Sequence, residues 1–296
     1  KLHAGRASVI LRATRRNDGT SVVIKALRGE RPTPRALAQL RREFSLLQDL
    51  DLPGVIRVFE LTSYDGGLAL VMEDTGGFSL NQELSSTPME LRRALTISRN
   101  VAKTLAELHA RSIVHKDIKP HNILVSPESA ETRLIDFGIA TRLNEESPVP
   151  VSPDAIEGTL FYMAPEQSGR MNRVVDQRAD LYSLGVVLFE MVTGQPLFDR
   201  RTLTMTSYIT RQLTEEAPAL GDLVEGVPPA LGDLVQQLLA GKRAERLGDA
   251  REARERLREL AAWVEPEPKD AVTEETEAVA PPTVESAAPA PAPAPR

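Results

Sequence analysis

The stretch HKDIKPHN, residues 115–122, decides how the rest of this sequence is read. It follows neither a helical nor a strand period, yet apolar residues (Ile113, Val114, Ile123, Leu124) stand on both sides of it. Charged and amide groups are expensive to desolvate unless they are paired or serve a chemical purpose. Asp117, Lys119 and Asn122 therefore mark a candidate site before any fold is assigned.

Upstream, residues 8–70 read mainly as strands. SVILRAT, the turn residues NDGT and SVVIKAL form a hairpin pattern, and VIRVFEL and LALVME follow, separated by YDGG. One helix interrupts them: PRALAQLRREFSLLQDL carries Leu37, Leu40, Phe44 and Leu47 at helical spacing. Beyond residue 80 the pattern turns helical. MELRRALTISRNVAKTLAELHA places Leu91, Leu95, Ile97, Val101, Leu105 and Leu108 on one broad face, and ADLYSLGVVLFEMVT is apolar nearly all round, as a helix inside a lobe would be. The predicted fold is α+β and bilobal, a small antiparallel β-sheet lobe with one helix and a larger, mainly helical lobe.

Two later stretches complete the site: LIDFGIA (134–140) and EGTLFYMAPE (157–166). In this order and spacing the three resemble the protein-kinase signature of catalytic loop, D-F-G and A-P-E. The resemblance covers residues 3 to 262 and is that of eukaryotic-like (Hanks-type) Ser/Thr protein kinases. The phrases HKDI, EGTLFYMAPEQSGRMNR and LDLPGVIRVFEL look like the kinase domain at the N-terminal end of large bacterial signalling proteins that also carry ATPase and sensor modules; no G-x-x-x-x-G-K-[ST] loop occurs in this sequence.

The resemblance implies a role for each position. Asp117 would orient the acceptor hydroxyl and take its proton, and Lys119 would reach the transferred phosphate, as in Ser/Thr-specific members. Asn122 and Asp136 would be the magnesium ligands. Lys25, in VVIK, would pair with ATP phosphates and Glu43 with Lys25. Ile10, Val23 and Leu124 would enclose adenine, Met72 would stand as gatekeeper, and the backbone at Glu73 and Thr75 would bond the base. Asp180 would brace the catalytic loop, Arg246 would pair with Glu166, and His115, Phe137, Leu47 and Val58 would form an apolar stack between the lobes. The implied domain spans 1–262, with a small lobe over 1–72, a hinge over 73–78 and a large lobe over 79–262.

Departures from the pattern also carry meaning. Where a glycine-rich loop is expected the chain reads HAGRASVI, which keeps Gly5 but has His3 and Ser8 at the outer positions, so close backbone approach to phosphate is restricted. Lys116 replaces an arginine that would grip a phosphorylated activation loop as a bidentate fork, which predicts little dependence on such phosphorylation. Ser147 and Ser152 are activation-segment serines, read as solvated loop residues that could be phosphorylated. Thr159 is expected to contact Asp117 and Lys119.

The net charge of −6 belongs mostly to the tail, because residues 264–296 hold seven acids against Lys269 and Arg296 and leave the body near −1. That argues against a nucleic-acid partner. No apolar run approaches the roughly eighteen residues of a membrane helix, and the absence of cysteine excludes disulfides and thiolate metal sites. His3, His109 and His121 show no metal-ligand spacing. Residues 263–296, rich in Pro, Ala and Glu, read as a disordered tail or linker. The abrupt start KLHAG and the Ala-Pro end suggest a fragment of a larger chain. The charged runs in the helices at 35–50 and 251–260 read as solvated faces, and the repeated ALGDLV (219–224, 230–235) as a local echo. The expectation is a cytoplasmic Ser/Thr protein kinase that uses ATP and Mg2+ on a protein substrate. A pseudokinase scaffold, favoured by the degraded glycine loop, and a small-molecule kinase, disfavoured by the A-P-E segment, are the alternatives.

Overall fold

The hairpin expected at residues 8–27 forms the centre of the small lobe. The structure, a computed structural model, describes residues 2–4, 8–28, 32–143, 160–168, 175–200 and 204–264. Gly5, Ser147, Ser152, Thr159 and residues 265–296 lie outside them. Strands β1 (His3–Ala4), β2 (Ser8–Thr14), β3 (Ser21–Leu27), β4 (Val58–Tyr64) and β5 (Gly67–Glu73) make one antiparallel sheet in the order β1-β2-β3-β5-β4. Helix α1 (Pro34–Leu47) begins with Pro34 at its first turn, and the Thr33 hydroxyl accepts from the Ala36 N–H at 3.2 Å.

Two boundaries differ from the pattern. The run VIRVFEL enters the sheet at Val58, not Val55, because residues 54–56 are spent on the other lobe: Leu134 donates to Gly54 O (2.8 Å) and Ile56 to Leu134 O (3.0 Å). Helix α1 ends at Leu47, and the next three residues lead into that crossing. Gly54 is needed there, since a Cβ would lie 1.8 Å from Thr104 Oγ1.

After β6 (Phe78–Ser79), the large lobe is built on α2 (Leu91–His109), whose first N–H groups at Arg92 and Arg93 donate to the Glu90 carboxylate at 2.8 Å. Short strands β7 (Ile113–Val114), β8 (Ile123–Val125), β9 (Thr132–Leu134) and β10 (Thr141–Arg142) present the site, with β8 between β6 and β9 and β7 paired to β10. Helix α3 (Arg178–Thr193) is buried on nearly every side and stops at Gly194, whose φ of +66° and close approach to the Thr87 carbonyl exclude a side chain. Helices α4 (Met205–Thr214), α5 (Leu220–Leu223), α6 (Pro229–Leu238) and α7 (Ala250–Trp263) complete the lobe. The echoed hexapeptides fall in α5 and α6 and are used differently: Leu234 is buried, while its counterpart Leu223 is exposed. Among the described residues no helix is long and apolar enough to cross a membrane.

Candidate active site

The cleft between the lobes gathers the charged residues that the sequence scatters over more than a hundred positions. Lys25 stands on β3 directly opposite Ile10 of β2 and Leu70 of β5. Its Nζ donates to Glu43 Oε1 and Oε2 (2.9 and 2.8 Å) and to Asp136 Oδ1 (2.8 Å). Burial opposes the charge on Lys25, but the Asp136 and Glu43 carboxylates outweigh it and hold its pKa above the ordinary lysine range. Glu43 is only 3 % exposed, so burial raises its pKa in spite of Lys25. Asp136 goes the other way: the neighbouring Lys25 cation depresses it to about 2.

The catalytic-loop stretch lies beneath. Lys119 Nζ and Asn122 Nδ2 both donate to Asp117 Oδ2 at 2.8 Å, and Asn122 Nδ2 also donates to Asp117 O at 2.9 Å. Asp117 Oδ1 is buried and, among the described residues, accepts nothing. Burial is the main reason that the Asp117 pKa rises to about 6, with the Lys119 cation opposing it. His115 is not a rival base. Its Nδ1 accepts from the Asp117 N–H, its Nε2 lies 3.2 Å from Ile135 O, and burial pushes its pKa down, which assigns the neutral Nε2–H form. Its ring meets Phe137 edge-on with centroids 4.5 Å apart, inside the core to which Leu47 also belongs and against which Val58 packs.

Left-handed backbone at Lys116 (φ +66°) and Asp136 (φ +64°) aims these side chains and requires support from outside the loop. Asp180 supplies it on one side, accepting from the His115 and Lys116 N–H groups at 2.9 and 2.7 Å, with His109 Nε2 2.9 Å from the same carboxylate. Burial works against ionising Asp180, yet these donors, His109 first, hold its pKa below the usual range. Gln167 supports the loop from the other side, donating to Lys116 O at 2.9 Å while accepting from Ala164 N–H at 3.1 Å. Glu166 and Arg246 form the expected buried pair at 2.7 Å.

Of the apolar positions expected around a base, Ile10, Val23 and Met72 share one face of the small-lobe sheet. Val23 of β3 and Val58 of β4 flank Met72 of β5 in register, and Ile10 and Leu124 are half-buried on β2 and β8. Met72 is buried and Thr75 is exposed; the Glu73 N–H is already committed to Arg57 O at 2.9 Å. Sequence reasoning missed Gln167, His109, Ser79, which donates to Pro120 O at 3.0 Å, and Asp74. His109 had a usable cue, its place on the apolar face of the amphipathic α2, four residues after the buried Leu105.

A protein kinase domain model matches residues 1–257. The chain belongs to the protein kinase family. This kinase is 30 % identical over 205 residues to serine/threonine-protein kinase PrkC of Bacillus subtilis, covering 69 % of the chain and 31 % of that protein. It is 35 % identical over 185 residues to serine/threonine-protein kinase pkn2 of Myxococcus xanthus, covering 61 % and 22 %. A probable serine/threonine-protein kinase PknB of Lactococcus lactis is 30 % identical over 218 residues, covering 73 % and 34 %. The kinase thus spans about a third or less of the length of these relatives.

The donor set fits the group that the family uses. Asn122 turns its amide nitrogen to Asp117, so its oxygen, with the Asp136 carboxylate, would offer the hard oxygen atoms that suit a magnesium ion. The orphan Oδ1 of Asp117 asks for a donor.

Proposed function

We propose that this chain is a Ser/Thr protein kinase that transfers the γ-phosphate of Mg-ATP to a serine or threonine hydroxyl of a protein in bacterial signal transduction. The carrying observation is the asymmetric environment of Asp117: among the described residues Oδ2 takes Lys119 and Asn122, while buried Oδ1 takes none. An acceptor hydroxyl bound at Oδ1 would be oriented for attack and would give up its proton there. Bound Mg-ATP supplies the phosphoryl donor and the cation that offsets its charge. Lys119 neutralises charge beside the acceptor oxygen, Lys25 places a second cation, and Asn122 and Asp136 would hold the metal. Ile10, Val23, Met72 and Leu124, with the Glu73 and Thr75 backbone, seat the base.

The names of the bacterial relatives support the Ser/Thr assignment. The same proposal sets the kinase domain at 1–262, with lobes at 1–72 and 79–262 joined by 73–78, makes 263–296 a linker, and places the domain in the cytoplasm where ATP is available. The test is transfer of labelled γ-phosphate from Mg-ATP to the protein itself and to a generic basic protein, beside Asp117→Asn. Label on serine or threonine that disappears in the variant is expected. Binding of nucleotide without transfer by the parent protein would overturn the proposal in favour of a scaffold.

A further inference from the structure

One polar cluster in the cleft has no part in the chemistry above. The registers of the sheet place Arg12 opposite Val23, and Val23 opposite Met72, so all three side chains share the face that carries Lys25. Continuing by two residues along each strand puts Ser21 and Asp74 on the same face, beyond the last paired residues Val22 and Glu73. There the apolar ceiling of Ile10, Val23 and Met72 gives way to a closed knot. Arg12 Nη2 donates to Asp74 Oδ1 at 3.0 Å, and Arg12 Nε lies 2.7 Å from Oδ2. The Ser21 hydroxyl donates to Oδ2 at 2.7 Å, and the Gly76 N–H to Oδ1 at 3.1 Å.

Both oxygens of Asp74 are thus doubly occupied, and its side chain is 9 % exposed although it sits at the mouth of a cleft. Burial alone would favour the neutral acid; the Ser21, Arg12 and Gly76 donors reverse this and keep Asp74 ionised below the usual carboxylate range. The preceding residue is tied to the opposite side. Glu73 Oε1 accepts from the Arg57 N–H at 2.9 Å, at the end of the segment that Leu134 bonds to the large lobe. Two successive carboxylates therefore fasten one turn of hinge in two directions, Asp74 to β2 and β3 and Glu73 towards the other lobe.

We propose that Asp74, held by Arg12 and Ser21, is a positioning residue for nucleotide binding, locking residues 73–76 to the small-lobe sheet so that the backbone at Glu73 and Thr75 is preformed for the base. This rests on the kinase reading above. A preformed hinge reduces the ordering that ATP must impose on binding. The clamp is remote from Asp117 and Lys119, so its loss should weaken the ground state and transition state together and raise KM without lowering kcat.

The experiment compares Ser21→Ala, Asp74→Ala, Arg12→Ala and the exchanged pair Arg12→Asp/Asp74→Arg with the parent protein. Mg-ATP Kd by calorimetry, KM, kcat and Tm are measured for each. Asp74→Ala should raise Kd and KM about five- to tenfold, the loss of one to two net hydrogen bonds, with kcat within about twofold. The exchanged pair should recover part of the affinity, and Ser21→Ala, which removes one exposed hydroxyl and leaves the fold intact, should raise Kd about two- to threefold. An unchanged Kd in Asp74→Ala and Ser21→Ala, with the parent binding ATP and transferring phosphate, overturns the clamp alone. A lower Tm with unchanged Kd also overturns it, reducing the knot to a structural brace. A parent that binds no ATP overturns the kinase reading itself.

Discussion

Arg246→Met would strip the cation from a carboxylate with no route to water. The Arg246 and Glu166 side chains are 0 % and 2 % exposed. The guanidinium donates to Glu166 Oε1 and Oε2 (2.7 and 3.3 Å), to Arg178 O (3.1 Å) and to Ala240 O (3.0 Å), and it lies 4.9 Å from the centre of the Tyr182 ring. Removing one partner of such a pair costs about 3–5 kcal/mol, because the other charge stays buried without compensation. Against a total stability of about 5–15 kcal/mol that is a large fraction. Taking a urea slope of about 3 kcal/mol/M for a domain of this size, the midpoint followed by circular dichroism should fall by about 1–1.7 M. Much of that cost reflects the stranded carboxylate rather than net attraction, so Arg246→Met/Glu166→Met should be more stable than Arg246→Met alone, by about 2 kcal/mol. A loss under about 1 kcal/mol in the single variant, or a double variant as unstable as the sum of the two singles, would refute this reasoning.

Other outcomes follow from the same charges. With Asp117 titrating at about 6, kcat/KM should fall about tenfold per pH unit below that value; a flat profile to pH 5 would remove Asp117 as the base. Its folded pKa lies above the unfolded value of 3.8, so its destabilising effect is absent below pH 4 and complete above pH 6. Asp117→Asn should therefore abolish transfer yet gain about 1 kcal/mol at pH 8 by chemical denaturation, and lose that gain at pH 4. Lys25→Met should reduce transfer by at least about 100-fold and strand Glu43. Asp136 stabilises the fold above pH 3.8, and that stability is lost as pH falls towards about 2; thermal melts across this window should flatten in Lys25→Met. Gly54→Ala should cost about 1–3 kcal/mol by driving a methyl into Thr104, and unchanged melting would show that the loop simply moves aside.

Much of this molecule was legible in one dimension. The strand pair at 8–27, the amphipathic face of α2 and the all-round apolar α3 each express a local period, and periods survive in sequence. Asp117, Lys119, Asn122 and Asp136 were legible for a different reason: charge grouped among apolar residues has few uses. The order of the three motifs then tied them to Lys25 and Glu43, and these do meet at 2.8–2.9 Å.

What only the tertiary structure decided has a common physical character. Which Asp117 oxygen is left without a donor among the described residues depends on the Lys119 ammonium and the Asn122 amide, which both approach the other one. Gln167 and Asp74 follow no period, and their roles could not be read locally, since each acts through backbone or side-chain partners up to sixty-two residues away in the chain. Val55 reads as strand by composition and leaves the sheet because Leu134 of the other lobe competes for that segment. Local sequence determines which groups a segment offers; long-range geometry determines which of them find a partner, and the unpartnered one is where chemistry is left to happen.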